Sequence, residues 1–380
     1  MKFLFIVSDF DVGGITASLK NLSSLLIERG HGVELLDLPK YGKLPDGFDG
    51  KIKMVELDKR ARLWNLSAAD IKKAGFFGKI KYSFLGIVKK IMNRSEAWHN
   101  YAFKNTRFEG YDAVIGFRQS PVCFYLASRK SVGAKKIGFW HGDVDYMGDL
   151  SSWDHYLSEL DSVACVSNAV SEGMKKRYEN ISDKFVTVYN VINERVIKET
   201  TAAKLTDRFV INSTTRITAA LKGSNKIVPI AKKLKGDEIE FVWRIVGNGE
   251  YADKLNEEIK ENGLSDNVEL LGAMSVPYGE MRNADLFVQV SDSESYGMTV
   301  AEALILGTPV VAGYYPALPE ILSDGENGII AENSVDGIYA AVKKVVSDKE
   351  LYKKLKDGAL NYAYTPGVAY DQFMEMMKNA

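Results

Sequence analysis

Residues 284–312 read Ala284-Asp285-Leu286-Phe287-Val288-Gln289-Val290-Ser291-Asp292-Ser293-Glu294-Ser295-Tyr296-Gly297-Met298-Thr299-Val300-Ala301-Glu302-Ala303-Leu304-Ile305-Leu306-Gly307-Thr308-Pro309-Val310-Val311-Ala312. A short apolar run, Leu286–Val290, ends in a polar loop. A helical stretch follows over Val300–Leu306, then a Gly-Thr-Pro turn and a second apolar run, Pro309–Ala312. Strands that read as buried on both faces and alternate with helices point to a parallel α/β sheet.

The same rhythm extends outward. Strands are expected at Phe3–Ser8, Val33–Leu38, Ala113–Phe117, Lys136–Trp140, Ser162–Val166 and Phe185–Tyr189, and then at Phe209–Ser213, Phe241–Val246 and Val268–Leu271. Helices are expected at Ile15–Arg29, Ser167–Arg177, Lys226–Leu234 and Tyr251–Glu261. The predicted class is α/β, with two Rossmann-like doubly wound parallel-sheet domains. Polar residues without an apolar period mark a boundary near 191–207. The expected division is 1–192, then 205–362, with a last helix over 363–380 packing back on the first domain. Ligands of such sheets bind at the carboxyl ends of the strands, here in the cleft between the two domains.

With 380 residues the chain has length for two or three cores. Its 46% hydrophobic and 26% charged residues exclude disorder, collagen and coiled-coil rods. A net charge of −1 argues against a dedicated nucleic-acid binder. Cys123 and Cys165 lie in apolar runs and are too few for a disulfide framework or a zinc cluster, so they read as buried thiols in a reducing cytoplasm. The first apolar run breaks at Ser8-Asp9, shorter than a signal-peptide core, and no run reaches about 18 apolar residues. The expected location is cytoplasmic.

Charge divides with the domains. Residues 1–190 carry 28 Lys+Arg against 22 Asp+Glu, and the rest carry 21 against 28, so a basic half faces an acidic one. Residues 59–108 break the α/β rhythm. Within 70–94, seven bases accompany one acid, Asp70, among Phe76, Phe77, Phe84 and Leu85. This basic insertion suits peripheral contact with an anionic membrane; the other reading is an amphipathic helix packed on its own domain.

Four motifs carry candidate chemistry. Gly13-Gly14 follows the first strand and opens a helix, where a ligand anion can reach free amides. Arg216 and Lys222-Gly223 place two cations six apart after a strand, suited to a pair of phosphates. Gly247 and Gly249 end the next strand, where they permit close approach or simply turn the chain. Glu294 and Glu302 are eight apart. Glu302 falls among Ala301, Ala303, Leu304 and Ile305, where a carboxylate needs partners such as sugar or ribose hydroxyls. The amides of Met298 to Val300 at the helix start suit a phosphate.

Together these motifs resemble the retaining GT-B glycosyltransferases of the bacterial group one (family four) type. Glu294 and Glu302 match that family's Glu-x7-Glu signature, Arg216 and Lys222 its cation pair, and Gly13-Gly14 its amino-terminal loop. The resemblance implies that Arg216 and Lys222 hold the donor diphosphate and that Glu302 binds the ribose. It implies that Glu294 contacts the transferred sugar, with amides around Tyr296, Gly297, Met298 and Thr299, and that Gly14 brings its amide to the phosphate. His141 matches a histidine placed beside the donor sugar. His31, in the Gly30-His31-Gly32 turn between helix and strand, reads as structural, and His99 and His155 give no signal.

Two departures stand out: Glu294-Ser295-Tyr296-Gly297 replaces the usual Glu-Gly-Phe-Gly, and Gly313-Tyr314-Tyr315-Pro316 stands where relatives carry small residues. Asp9-Phe10-Asp11 and Asp143-Val144-Asp145 mimic a metal-binding Asp-x-Asp, yet such enzymes hold phosphates with cations and amides. No cofactor or essential metal is expected. The implied partners are a nucleotide-diphosphate sugar, with UDP foremost, and a glycan or lipid-linked acceptor of bacterial surface polysaccharide or glycolipid synthesis. Alternatives are a GT-B sugar-nucleotide epimerase and a non-catalytic GT-B partner subunit.

Overall fold

A computed structural model describes the chain except residues 9, 11–12, 39–43, 45, 58–59, 62–63, 65–86, 88–95, 149, 151–152 and 201–205. The basic segment 70–94 therefore lies almost wholly outside the described residues.

The first sheet contains β1 (Lys2–Val7), β2 (Gly32–Asp37), β3 (Lys53–Met54), β5 (Ala113–Gly116), β7 (Lys135–Trp140), β8 (Ser162–Cys165) and β9 (Phe185–Thr187). Their order is β3-β2-β1-β5-β7-β8-β9, with parallel pairing throughout. A two-stranded ribbon, β4 (Phe108–Glu109) with β6 (Ser131–Val132), stands beside it. The second sheet contains β10 (Phe209–Thr214), β11 (Phe241–Val246), β12 (Val268–Gly272), β13 (Leu286–Gln289), β14 (Val310–Gly313) and β15 (Gly328–Ala331). It is again parallel, in the order β12-β11-β10-β13-β14-β15. In both sheets the order reverses beside the first strand, the switch point where α/β sheets open a crevice.

Burial explains the apolar runs. Phe3 to Ile6, Ala113 to Ile115 and Leu286 and Val288 are completely buried, as parallel strands covered by helices on both faces require. Residues Val122–Ser128 of the helix Pro121–Lys130 are all buried, so this stretch shows no amphipathic period. The helix Pro366–Asn379 returns to the first sheet. Phe373 packs edge-on against Phe3, Tyr370 hydrogen-bonds His31, and Lys135 Nζ donates to the Met377 and Ala380 carbonyls. Cys123 and Cys165 are free and buried. Among the described residues, no helix is long and apolar enough to cross a membrane.

The two halves meet through specific polar contacts. Ser293 Oγ donates to Asp143 Oδ2 at 2.7 Å, and Ser167 Oγ donates to the Ser295 carbonyl at 2.7 Å. The Glu320 carboxylate accepts from the amides of Asn168 and Ala169, at 2.8 and 2.9 Å. These are the first amides of the helix Asn168–Arg177, so an acid from one half caps a helix of the other.

Candidate active site in the cleft

Most candidate residues lie in the loops beyond the carboxyl ends of the strands, and Glu302 lies in the helix Met298–Ile305 that follows β13. Gly13 and Gly14 follow β1, His141 follows β7, Arg216 follows β10, Gly247 follows β11, and Glu294 follows β13. The cleft brings the two sets face to face. A Cβ added at Gly13 would stand 3.5 Å from Arg216 Nη2, and one added at Gly14 would stand 3.5 Å from Met298 Sδ. Gly13 has φ 166, extended backbone open to any residue. What the glycine pair contributes is room between the halves rather than a left-handed turn.

Arg216 is exposed and finds no acceptor among the described residues, which leaves its fork of donors directed at the cleft. Lys222 is held. Its Nζ donates to Glu294 Oε1 at 2.7 Å. The same oxygen accepts from Ser291 Oγ at 2.9 Å and Gln289 Nε2 at 3.2 Å. Three donors on Oε1 fix the carboxylate and leave Oε2 for a ligand hydroxyl. Sequence reasoning missed Gln289 and Ser291. The signal was there: two polar residues two apart on an apolar strand share one face.

Beneath them, buried Lys226 donates to the Val290 carbonyl at 3.1 Å and to Asn333 Oδ1 at 2.6 Å, and it pairs with Asp292. This hidden cation ties the Glu294 loop to the strand end, so the loop is built rather than free.

Gly247 and Gly249 abut the carbonyls of Thr215 and Ile217. Their closest neighbours belong to the loop that carries Arg216, so they shape that loop instead of facing a donor directly. Ile217 N also donates to the Asn248 carbonyl at 3.0 Å.

The helix predicted from Val300 begins at Met298. Val300 N already donates to the Gly297 carbonyl at 3.0 Å. The amides without an acceptor among the described residues are therefore those of Met298 and Thr299, not Val300. Gly297 has φ 99, and a Cβ there would stand 2.1 Å from Tyr315 Oη. Here glycine is required both by conformation and by space. Tyr296 turns its ring inward against Tyr189, with centroids 5.7 Å apart, so only its backbone can serve the cleft.

Glu302 is 8% exposed. Burial pushes its carboxyl up to about 8, against a smaller opposing hydrogen bond from Tyr278. Without a ligand it is largely protonated at neutral pH, and hydroxyl donors are what would stabilise its charged form. His141 is buried and held down to about 4 by desolvation. Its Nε2 lies 2.9 Å from the Phe117 carbonyl, which assigns the proton to Nε2 and leaves Nδ1 as an acceptor. A neutral histidine can receive a sugar hydroxyl but carries no charge of its own. His31 and His99 bond Tyr370 and Tyr156.

Asp143 is engaged by Ser293 and by the Asp145 amide. Asp9 and Asp11 lie outside the described residues. A cavity of about 440 Å³ lined by Glu56, Arg107, Glu109 and Tyr111 shares no residue with the cleft.

Comparison with known proteins agrees with this geometry. Residues 196–362 match the family model described as glycosyl transferases group 1. An N-acetyl-alpha-D-glucosaminyl L-malate synthase of Bacillus anthracis is 23% identical over 256 residues, 64% of this chain and 67% of its own. A lipopolysaccharide core biosynthesis glycosyltransferase of Rhizobium meliloti is 26% identical over 220 residues, 56% of this chain and 62% of its own. An uncharacterized glycosyltransferase of Methanocaldococcus jannaschii is 25% identical over 53% of this chain and 54% of its own. The alignments thus span between about half and two thirds of these relatives. Among solved structures, S. aureus TarM, bound to fondaparinux, alpha-GlcNAc-glycerol and UDP, superposes with a TM-score of 0.73 at 15% identity, covering 99% of each chain. Anabaena HepE, bound to UDP and glucose, gives 0.71 at 14% identity over 100% of each chain. Residues 196–362 thus match the group 1 glycosyl transferases, and the whole chain has the two-sheet GT-B fold of these solved structures.

Proposed function

We propose that this protein transfers a hexose-type sugar from a nucleotide diphosphate sugar, with UDP as the foremost nucleotide, to a glycan or lipid-linked acceptor in bacterial surface polysaccharide or glycolipid synthesis, and that the anomeric configuration is retained. The observation that carries this reading is the convergence of Arg216, Lys222 and the free amides of Met298 and Thr299 around one end of the cleft, with Glu294 Oε2 open beside them. The UDP in the TarM and HepE structures and the names of the curated relatives support it.

The chemistry follows from charge. Breaking the bond between the anomeric carbon and the donor phosphate leaves negative charge on the departing diphosphate. Arg216, Lys222 and helix-terminal amides are already oriented toward it, so little reorganisation is needed as that charge grows. Lys222 must share its Nζ between Glu294 and phosphate, which couples sugar placement to leaving-group stabilisation. Neutral His141 accepts a hydroxyl from the sugar. In front-face transfer the departing phosphate oxygen takes the acceptor's proton. The role needs no essential metal, because cations and amides supply the phosphate contacts.

The test is incubation with a panel of nucleotide sugars, following nucleoside diphosphate release and the anomeric configuration of the product by proton NMR. Consumption of one donor with retained configuration is expected. Interconversion of the sugar on its nucleotide would favour the epimerase, and an inverted product would overturn retention.

A further inference from the structure

Lys226 is 9% exposed and lies four residues beyond Lys222 in the sequence. A lysine is seldom hidden unless its charge is paired. Here three acceptors meet it from separate strand ends. The Val290 carbonyl and Asp292 belong to the loop after β13, and Asn333 lies beyond β15. Asn333 in turn donates from Nδ2 to the Ser291 carbonyl at 2.9 Å and to the Tyr314 carbonyl, beyond β14, at 3.1 Å. One ammonium and one amide thus join the ends of three strands to the segment that follows β10.

The turn before Lys222 is held by the same loop. Leu221 has φ 61, a left-handed backbone that leucine seldom adopts. Its side chain is exposed, so side-chain packing does not impose that conformation. What the turn achieves is polar: the Leu221 carbonyl accepts from the amides of Asp292 at 2.8 Å and Ser293 at 3.2 Å. Asp292 therefore receives Lys226 on its carboxylate while its amide holds Leu221. One residue beyond Leu221 is Lys222, and two beyond Asp292 is Glu294, the pair that meets at 2.7 Å.

We propose that Lys226 is a positioning residue for the transfer: through Asp292 and Leu221 it fixes Lys222 Nζ between Glu294 and the departing phosphate. The inference rests on the function proposed above, and Lys226 itself touches no substrate. A charged donor among three acceptors in the interior is held more firmly than an exposed lysine. That firmness matters here, because a shift of about 1 Å at a reacting group can cost about a hundredfold in rate.

The test uses the full chain with Lys226→Met, which nearly keeps the side chain's length and removes its charge, and with Asp292→Asn, which keeps the acceptor's shape at a partly exposed site. Melting temperature is measured first, and turnover is then compared well below it, where each variant is folded. At saturating nucleotide sugar, kcat for diphosphate release is expected to fall about tenfold or more in Lys226→Met and about threefold or more in Asp292→Asn, while KM for the donor changes by less than about threefold. In a Lys222→Ala background the same changes should have little further effect on kcat, because they act through Lys222. A lowered melting temperature with wild-type kcat in Lys226→Met would make the lysine purely structural and overturn the proposal. Wild-type kcat in Asp292→Asn would do the same should Lys226→Met fail to fold. An undiminished loss in the Lys222→Ala background would also overturn it. Wild-type protein that releases diphosphate from none of the nucleotide sugars would instead overturn the transferase reading, and the positioning role would fall with it.

Discussion

At the scale of the residue, Glu302 makes the sharpest statement. Its sequence neighbours, Ala301, Ala303 and Leu304, announced a buried carboxylate. The structure adds that burial holds it near 8. In the unfolded chain a glutamate titrates near 4.3. Between those values the folded protein holds more protons than the unfolded one, so stability declines as pH rises through this window. Binding works in the opposite sense. If ribose hydroxyls draw out the carboxylate's charge, binding releases a proton, and nucleotide affinity should climb from pH 6 to pH 8 and level off above. Glu302→Gln should flatten that profile and, at pH 8.5, weaken binding by about 1–3 kcal/mol. Calorimetry across this range checks it; a flat wild-type profile would remove Glu302 from the nucleotide site. The partners of Glu294 were less legible. Lys222 comes from a distant part of the chain, and only the fold shows that it meets the carboxylate at 2.7 Å.

At the scale of the element, strands buried on both faces could be read from their apolar runs, as β1, β5, β10 and β11 show. Elements without such a run could not. β3 has two residues, and β15 is Gly-Ile-Ile-Ala. The helix Pro121–Lys130 is buried continuously over Val122–Ser128, so only its Ser120 cap and leading proline betray it. The start of the helix Met298–Ile305 was misplaced by two residues because its cap is a glycine without a side-chain signal. That glycine yields a prediction. Gly297→Ala meets both the left-handed backbone and the Tyr315 hydroxyl, and should destabilise the protein by about 1–3 kcal/mol in urea unfolding. In a Tyr315→Phe background the clash with oxygen disappears while the backbone strain stays, so the same change should cost less. Equal costs in both backgrounds would show that Tyr315 does not press on this cap.

At the scale of the whole molecule, the charge division between the halves and the cleft between two sheets were legible from the sequence, whereas the bonds that close the cleft were not. Ser293 with Asp143, and Glu320 with the helix Asn168–Arg177, join residues far apart in the chain through side chains that look like ordinary surface polar groups. We propose that the basic segment 70–94, outside the described residues, contacts anionic lipid, each base contributing about 1 kcal/mol. Sedimentation with vesicles of rising anionic content should carry down wild type at low salt, and the joint change of Lys72, Lys73, Lys79 and Lys81 to Glu should abolish this. Equal sedimentation of both proteins would assign the segment to packing within its domain. The central claim is that the cleft stabilises a departing nucleoside diphosphate with Arg216 and Lys222. The most direct measurement is the rate of nucleoside diphosphate release from the preferred nucleotide sugar at saturating donor, in wild type, Arg216→Ala and Lys222→Ala. The account predicts a fall of about a hundredfold or more in each variant, because both cations meet charge that grows in the transition state. Wild-type release rates in either variant, with only acceptor affinity altered, would contradict it.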